Sequence, residues 1–434
     1  MNEKYCIICK KCGLKVIDDA NRNYCSRCYK KGLLYTEYSK PLQIDTKSSN
    51  LYRYMDWLPI HTEFPGLSSL SGCYQSEKLA HELNLNNLWI VFSGYWPEKG
   101  AFLESLSFKE FEAIGVLSRV NEKTNRIMIL SSAGNTGLSA ILISRKIGIP
   151  VIVVAPEHAC TNFRTTINGK DAPVFLISLK RASYNDCINF VSDLVEQVPD
   201  IIDEGGVYNI ARRDFLGIPI LHAASIMKEI PNHYFQAVGS GTGAIAAWEA
   251  CVRLSGLKNY AHRSMSLHLA QNKPFTPIVS AWESRQSDYK FKTDHIGQKQ
   301  AKQVLSHVLT NPYPAYSVKG GLFDALSATR GYTYGVSNKE IKAAKLIFEN
   351  LEKIDIQYPS AVCVAALIQA VEKGNVSRND SILLHITGGG QRRLEKSKIL
   401  CSYKASLTME KNDMDIAVQE ISRFLTQIQN RKFK

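Results

Sequence analysis

Three segments of small and hydroxyl-bearing residues have the composition of a site for a phosphorylated ligand. Each follows a short apolar run, and in chain order they are Ser132, Ala133, Gly134, Asn135 and Thr136; Gly239, Ser240, Gly241, Thr242 and Gly243; and Thr387, Gly388, Gly389 and Gly390. In open parallel sheets, ligands bind at the carboxyl ends of strands, where such segments lie. Each segment alone also fits an ordinary turn or helix cap. Together they indicate a cofactor with a phosphate and a ring, beside a bound amino acid.

The middle segment is suited to hold the phosphate. Its small residues, Gly239 to Gly243, let backbone N–H groups converge on one point. The helix predicted to begin near Ala244 directs the positive end of its dipole to the same point. No lysine follows Gly243, so the segment is not a Walker loop.

The other two segments offer polar groups at strand ends. The first meets the start of a predicted helix, whose free N–H groups can bind the carboxylate of an amino acid. Asn135 adds a side chain that donates or accepts hydrogen bonds there, although Asn and Thr are also common helix caps. In the third segment, Thr387 presents a hydroxyl group at the end of a strand.

The first 28 residues contain five of the eleven cysteines. The spacing Cys9-Lys-Lys-Cys12 followed by Cys25-Ser-Arg-Cys28 is typical of two knuckles around one tetrahedral zinc ion. Four cysteine ligands leave no open coordination position, so this zinc would be structural. Cys6 leaves another pairing open, and a hairpin with packed thiols is the alternative.

Composition limits the class of protein. With 434 residues, two domains are expected, and 45% hydrophobic and 21% charged residues are typical of a globular protein. The sequence has neither an apolar run that could span a bilayer nor the apolar core of a signal peptide, so we expect a cytoplasmic protein with reduced thiols. The net charge of +13 is spread along the chain, which favours a solvated basic surface over a binding site for nucleic acid.

Short apolar runs alternate with helical patterns from about residue 120. Strands are predicted at 127–130, 151–154, 174–177, 235–238, 266–269 and 382–386, and helices at 138–147, 184–195 and 218–229. This alternation favours mostly parallel sheets with helices on both faces.

Longer segments match a known enzyme family. They are 92–102 (FSGYWPEKGAF), 107–110 (SFKE), 132–136 (SAGNT), 234–243 (YFQAVGSGTG) with 247–250 (AWEA), 316–322 (YSVKGGL) and 386–390 (ITGGG). The chain resembles the fold-type II pyridoxal-phosphate (PLP) enzymes of the threonine-synthase type, and among these the cysteate synthases. The resemblance extends from about residue 51 to about residue 393, and the cysteine-rich start is also similar to that of the family.

The resemblance implies roles for individual residues. Lys109, in Ser-Phe-Lys-Glu, would be the lysine that forms a Schiff base with PLP, and Asn135 would contact the ring hydroxyl of PLP. Gly239 to Gly243 would wrap the phosphate, and Thr387 would face the pyridine nitrogen. A hydroxyl group at that nitrogen makes PLP a weaker electron sink, which suits replacement at the β-carbon rather than transamination. The segment 132–136 would bind the substrate.

The resemblance also implies the fold. It is an α/β fold like that of the tryptophan synthase β subunit, with two open, mostly parallel sheets, helices on both faces and PLP between two domains. We predict a cysteine-rich, zinc-ribbon-like arm at 1–37, a large PLP-binding domain at 38–114 and 216–434, and a small mobile substrate domain at 115–215. A homodimer is implied in the same way.

At the level of substrates, the resemblance implies that O-phospho-L-serine and sulfite give L-cysteate and phosphate, a reaction of sulfonate biosynthesis. Lys99, Arg212, Arg213 and Lys319 are candidates to bind the two anions. One alternative is threonine synthase, or another PLP enzyme that uses a different nucleophile at the β-carbon. An alternative from another class is a non-catalytic zinc-ribbon protein that regulates or binds nucleic acid.

Overall fold

In the computed structural model of the chain, two mostly parallel sheets form the body and a three-stranded antiparallel sheet forms the N-terminal arm. The structure describes residues 3–20, 22–166, 173–260, 264–291 and 295–432. The rest of the predicted arm and domains lies outside these ranges. Among the described residues, no helix has both the length and the apolar character that a membrane span requires.

The strands found in these ranges are β1 (Tyr5–Cys9), β2 (Lys15–Val16), β3 (Leu34–Tyr38), β4 (Gly72–Gln75), β5 (Leu88–Phe92), β6 (Tyr95–Trp96), β7 (Ala101–Phe102), β8 (Ile127–Ser131), β9 (Val151–Pro156), β10 (Arg164–Thr165), β11 (Val174–Lys180), β12 (Ile201–Asp203), β13 (His233–Ala237), β14 (Ser266–Asn272), β15 (Tyr332–Val336), β16 (Ile382–Ile386), β17 (Cys401–Ser402) and β18 (Leu407–Glu410).

The α-helices are α1 (Lys78–Glu82), α2 (Lys109–Lys123), α3 (Asn135–Ile147), α4 (Glu157–Cys160), α5 (Tyr184–Gln197), α6 (Ile210–Leu216), α7 (Ile218–Met227), α8 (Thr242–Ser255), α9 (Pro277–Glu283), α10 (His295–Ala301), α11 (Leu322–Ala328), α12 (Asn338–Glu352), α13 (Tyr358–Glu372), α14 (Gln391–Ser397) and α15 (Met414–Lys432). Short 3₁₀ helices lie at 51–57, 97–99, 206–208, 258–260 and 307–309.

The larger sheet has six strands in the order β15-β14-β13-β16-β5-β4, and only β4 runs antiparallel to its neighbour. All five residues of β16 are buried, as expected for a central parallel strand with both faces covered. The apolar runs predicted as strands at 235–238, 266–269 and 382–386 are all in this sheet, which confirms them.

The smaller sheet has five parallel strands in the order β12-β8-β9-β11-β18. The predicted strands at 127–130, 151–154 and 174–177 lie here, so the expected α/β architecture with two parallel sheets is confirmed. Its edge strand β18 and the helix α15 come from the C-terminal end of the chain.

The C-terminal segment differs from the predicted domain division, which assigned all of 216–434 to the large domain. β18 pairs in parallel with β11, and the rings of Phe424 in α15 and Phe175 in β11 lie 5.2 Å apart. The buried residues Ala417, Ile421 and Leu425 recur at a spacing of four along α15. This apolar side of α15 is covered by the smaller sheet, which explains why the segment packs there.

The arm is fixed to the body by buried polar contacts. Arg119, in α2, donates two hydrogen bonds to the carboxylate of Asp18, at 2.6 and 2.8 Å, and the Tyr5 hydroxyl donates to the same carboxylate at 2.7 Å. On the other side of the arm, the hydroxyls of Thr36 and Tyr38 donate to the Asp214 carboxylate in α6. The arm therefore contacts both α2 and α6.

The helices α2 and α6 also pack closely on each other. A Cβ atom at Gly115 of α2 would lie 2.4 Å from the ring of Phe215 in α6, closer than a real Cβ contact. Glycine is therefore needed for this approach of the two helices. It brings the polar side chains of α2 and α6 within reach of one another.

We predict that Arg119→Met destabilises the fold, because it leaves the Asp18 carboxylate buried without its cation. The free energy of unfolding should fall by about 3 kcal/mol, measured by urea denaturation. Glu37→Gln removes the exposed ion pair of Lys15 and Glu37 in the same arm and serves as the control, with no measurable change expected. Equal stability of Arg119→Met and the wild type would show that the buried pair does not hold the arm.

Candidate active site and metal centre

Two of the three predicted ligand-binding segments lie side by side. Gly239–Gly243 follows β13 and Thr387–Gly390 follows β16, and these two strands are neighbours in the larger sheet. Because the strands are parallel, both segments lie at the same edge of the sheet. Thr387 is buried at this edge.

Lys109 is held at this edge by backbone hydrogen bonds. The Phe108 N–H donates to the Thr387 carbonyl and the Gly389 N–H donates to the Leu106 carbonyl, both at 3.1 Å. Leu106 has φ of +62°, a left-handed conformation that costs energy for a residue with a side chain. Helix α2 begins directly after this turn, so the backbone of Lys109 has a fixed position next to the predicted PLP site.

Gly241 and Gly243 of the Gly239–Gly243 segment lie so close to neighbouring side chains that they cannot be replaced without movement. A Cβ atom at Gly243 would lie 2.4 Å from Nε2 of Gln236 and 2.9 Å from the ring of Phe108. Gly241 has φ of +82°, and a Cβ atom there would lie 2.3 Å from the Leu322 side chain. The start of α8 therefore packs against Phe108, the residue that precedes Lys109.

The third segment comes from the smaller sheet. It follows β8 and begins α3 at Asn135, whose amide nitrogen donates to Oε1 of Gln357 at 3.3 Å. The N–H of Gln357 donates in turn to the Gly388 carbonyl at 3.2 Å. The structure thus brings all three segments together with Lys109, as predicted from their sequence.

Within this third segment, the side chain of Ser132 has a structural role. Its hydroxyl oxygen accepts hydrogen bonds from the N–H groups of Gly134, at 3.2 Å, and Gly137, at 2.7 Å. The hydroxyl group therefore shapes the turn into α3, which positions Asn135.

Gln357 was not identified from the sequence. It precedes Tyr358-Pro359, and a proline at this position indicates the start of a helix, here α13. That pattern predicts the helix but gives no sign of the contact with Asn135, which is 222 residues away in the chain.

A chain of alternating charges extends from Lys109. Its Nζ lies 2.7 Å from Oε2 of Glu112, and Oε1 of Glu112 lies 3.0 Å from Nη2 of Arg212. Nη1 of Arg212 lies 2.6 Å from Oε2 of Glu204. The Lys109 side chain is 18% exposed, whereas that of Glu112 is 1% exposed, so the amine is at the accessible end of the chain.

Burial dominates the acid–base properties of this chain of charges. It lowers the pKa of Lys109, while the Glu112 carboxylate opposes this and the Arg212 guanidinium reinforces it. Burial also raises the pKa of Glu204 to about 7, against the opposing effect of Arg212. A lysine with a lowered pKa has the neutral amine available for nucleophilic attack and for proton abstraction.

Of the four basic residues suggested as anion-binding groups, Arg212 is the one joined to Lys109. Arg213 is buried and pairs with Glu249 at 3.0 Å. Lys319 pairs with Asp324 at the surface, 3.1 Å away. Lys99 lies over the ring of Tyr74, with Nζ 4.2 Å from the ring centroid.

The predicted zinc ligands Cys9, Cys12, Cys25 and Cys28 form one cluster, in which all four sulfur atoms lie within 4.8 Å of one another. Tetrahedral zinc with Zn–S bonds of about 2.3 Å places its ligands about 3.8 Å apart. The Sγ atoms of Cys12 and Cys25 are 3.7 Å apart, which matches this distance. Cys6 is outside the cluster, with its thiol 3.5 Å from Glu37. The four sulfur atoms fit one structural zinc ion.

The arm that carries this cluster supports two turns near the site. A Cβ atom at Gly205, next to Glu204, would lie 2.1 Å from Nδ2 of Asn23, so the arm packs directly on that turn. Elsewhere, the Leu33 N–H donates to the Lys319 carbonyl at 2.9 Å. Lys319 precedes the start of α11, whose first residue, Leu322, packs against Gly241.

The sequence matches the family model for pyridoxal-phosphate dependent enzymes over residues 73–388. This match includes Lys109, Asn135, the Gly239–Gly243 segment and Thr387. It therefore covers every residue that we predicted to contact PLP.

Curated relatives are similar over nearly the whole chain. The chain is 43% identical to a cysteate synthase of Methanoregula boonei over 98% of its own length and 99% of that protein. It is 39% identical to a cysteate synthase of Methanosarcina barkeri over 94% of its length and 97% of that protein.

Solved structures share the fold at low sequence identity. Maize serine racemase aligns with a TM-score of 0.56 and 13% identity, over 75% of this chain and 91% of that one. The processed form of threonine deaminase isoform 2 from Solanum lycopersicum aligns with a TM-score of 0.54 and 15% identity, over 82% of this chain and 94% of that one. These likenesses concern the fold alone.

For the metal centre, we predict that Cys9→Ser abolishes stable zinc binding and lowers the yield of folded protein, because metal binding is coupled to folding of the arm. Elemental analysis should find about one zinc per wild-type chain. Cys6→Ser is the matched control, since this thiol lies outside the cluster, and it should retain the metal. Freshly purified wild-type protein without zinc would contradict the assignment.

Proposed function

Because the chain belongs to the pyridoxal-phosphate-dependent enzymes, and within them to the cysteate synthases, we propose that it replaces the phosphate group of O-phospho-L-serine with sulfite. The products are L-cysteate and inorganic phosphate. The observation that carries the proposal is the position of Lys109. Its side chain is partly exposed, and the turn before it is bonded to the loop after β16, the neighbour of the strand that leads into the Gly239–Gly243 segment.

The proposal assigns PLP to the residues that converge at this edge. PLP, when bound, supplies an electron sink that stabilises negative charge at the α-carbon of an amino acid. Gly239–Gly243 would hold its phosphate, Thr387 would face its pyridine nitrogen, and Asn135 would contact its ring hydroxyl. Lys109 would hold the cofactor covalently until the amino acid arrives. Ser132–Thr136 would bind the carboxylate of that amino acid.

Lys109 then acts as base and acid. Its neutral amine takes the proton from the α-carbon, and the C–O bond at the β-carbon breaks with its electron pair going to the phosphate. Sulfite forms the new C–S bond with the lone pair of its sulfur, and the Lys109 ammonium returns the proton to the α-carbon. One further proton, brought by bisulfite, goes to the departing phosphate, so that atoms and charges balance.

The contact between the two sheets suggests how water is excluded. Asn135 belongs to the smaller sheet, and its partner Gln357 belongs to the larger one. We propose that the part of the chain around 115–215 closes on the substrate through the segment at Asn135. Closure would protect the reacting amino acid from water.

Two further features are part of the proposal. The eleven thiols suit the reducing environment of the cytoplasm, where we place the enzyme. We also propose a homodimer, as the resemblance implies, and analytical ultracentrifugation of the purified protein measures this directly.

We predict that purified enzyme incubated with O-phospho-L-serine and sulfite forms L-cysteate and phosphate in equal amounts, measured by mass spectrometry and a phosphate assay. O-Phosphohomoserine without sulfite is the comparison substrate and should give no threonine. Threonine from that mixture, together with no cysteate from the first, would refute the proposal in favour of a threonine synthase.

We predict that Lys109→Ala lowers kcat by about 10³-fold or more, because the variant loses the base and acid of the reaction. Borohydride reduction of the wild-type enzyme should attach the cofactor to Lys109, as identified by peptide mass spectrometry. Lys99→Ala is the control, since Lys99 is exposed and lies over Tyr74, and it should retain the label on Lys109. A label on a different lysine would be inconsistent with the assignment.

A further inference from the structure

We propose that Glu112, Arg212 and Glu204 are positioning residues that balance Lys109 between its neutral and its protonated form during the reaction. The inference rests on the proposed function, since it assumes that Lys109 takes and returns a proton. It concerns three residues that lie behind the amine, away from the accessible side.

The first step of the argument is the position of Glu112. It follows Lys109 by three residues in α2, so both side chains lie on the same side of the helix. Nζ of Lys109 is 2.7 Å from Oε2 of Glu112, and the Glu112 side chain is almost completely buried. A released ammonium group of Lys109 would therefore have a fixed carboxylate to bind, and would stay within reach of the site.

The second step is the cation behind Glu112. A buried carboxylate is stable only when paired, and Arg212 lies 3.0 Å from Glu112. This contact is an ion pair without an aligned hydrogen bond, because Oε1 of Glu112 has no hydrogen-bond partner among the described residues. The guanidinium donates its hydrogen bond to Glu204 instead, at 2.6 Å. Glu112 thus pairs with Arg212, while its hydrogen bond from a cation comes from Lys109.

The third step is the sum of the charges. Lys109 and Arg212 carry two positive charges, and Glu112 and Glu204 carry two negative ones, so the buried group is neutral when all four are ionised. Above about pH 7, where Glu204 is ionised, loss of the proton from Lys109 leaves one net negative charge, which the buried site disfavours. The group therefore favours the return of the proton to Lys109 after each release.

The reaction requires this balance. A lysine with only apolar neighbours would stay neutral and could not retain the α-proton, whereas a lysine with only a carboxylate neighbour would stay protonated and could not take it. Burial and Arg212 lower the pKa of Lys109, and Glu112 raises it. Glu204 raises it as well, from farther away.

Other titratable groups lie close to this arrangement. Asp203, next to Glu204 in sequence, helps to raise the pKa of Glu204. Tyr184, at the start of α5, lies close to Arg212, and its hydroxyl pairs with Ser131. Glu110 is next to Lys109 in sequence, but its carboxylate accepts hydrogen bonds from the Ser69 hydroxyl at 2.5 Å and the Ser105 N–H at 2.7 Å. Glu110 thus binds a different part of the structure and offers a matched control.

The experiment measures the pKa of Lys109 directly in the full-length protein after removal of PLP. Reductive methylation by formaldehyde and cyanoborohydride follows the fraction of neutral amine, and peptide mass spectrometry quantifies it at each pH. Glu112→Gln, Glu204→Gln, Arg212→Gln and Glu110→Gln are compared with the wild type. Exposed Lys15 in the same digest is the internal reference.

We expect shifts of opposite sign. Glu112→Gln should lower the pKa of Lys109 by about one unit, so that methylation at a fixed pH below the pKa is about tenfold faster. Glu204→Gln should give a smaller shift in the same direction. Arg212→Gln should raise the pKa and slow methylation, and Glu110→Gln should leave the profile unchanged.

Shifts of opposite sign in the pKa of Lys109 would distinguish a positioning role from a loss of packing. If both Glu112→Gln and Arg212→Gln accelerate methylation, the variants have merely exposed the amine and the inference is wrong. It is equally wrong if neither shifts the profile. The measurement uses no substrate, so it stands apart from the cysteate assay, whose failure would affect the proposed function and not this pKa.

In the PLP-loaded enzyme, the same balance should appear in the pH dependence of kcat. The part of the kcat profile that reflects ionisation of the Lys109 amine should shift to lower pH in Glu112→Gln and to higher pH in Arg212→Gln. For Glu112→Gln we expect kcat to fall by about 10-fold to 100-fold, with the KM for phosphoserine little changed, because Glu112 contacts the lysine and not the substrate. An unchanged pH limb with a raised KM would count against the role.

Discussion

The backbone hydrogen bonds between the turn before Lys109 and the loop after β16 are the contacts on which the rest of the site depends. They join the start of α2 to the end of a central, fully buried strand. The backbone of Lys109 is therefore held in place by the larger sheet. A lysine side chain has several rotatable bonds, and it loses conformational entropy when it is ordered. Because the backbone is fixed, only the side chain of Lys109 has to be ordered. Glu112 then binds its amine.

A second constraint is that the site is assembled from segments that follow strands of two different sheets. Gln357 connects them, since its side chain accepts from Asn135 and its N–H donates to Gly388. This link consists of two hydrogen bonds, and it lies beside a continuous apolar core that contains residues of both sheets, among them Val91 of β5 and Val153 of β9. Breaking these two hydrogen bonds alone therefore costs little compared with the stability of the shared core.

Much of this arrangement could be predicted from sequence. The apolar runs at 127–130, 151–154 and 382–386 are strands in the structure, and the three small-residue segments lie where parallel strands end. These features are encoded locally, in a few consecutive residues each. Contacts between residues that are far apart in sequence leave no such local pattern, and the contact of Gln357 with Asn135 is one example.

The charge network and the C-terminal segment show the same limit. Glu112 and Glu204 carry no sign of this role in sequence, and Arg212 was predicted as an anion-binding candidate. The close approach of α2 and α6 at Gly115 brings Glu112 and Arg212 together. Likewise, α15 has a clear apolar side, but its pattern does not specify which sheet it covers. Tertiary packing makes that choice.

The N-terminal arm has a consequence for the order of events during synthesis. It is synthesised before the surfaces that it contacts: Arg119 follows Asp18 by 101 residues, and the contact surfaces at residues 203–208 and 319–320 are added roughly 170 and 290 residues after the arm. Until residues 203–208 and 319–320 are made, the arm therefore lacks part of its docking surface. Its own short strands and its four clustered sulfur atoms are the contacts available to keep it folded until then. If the arm is already folded when these turns are synthesised, they can pack directly on its surface.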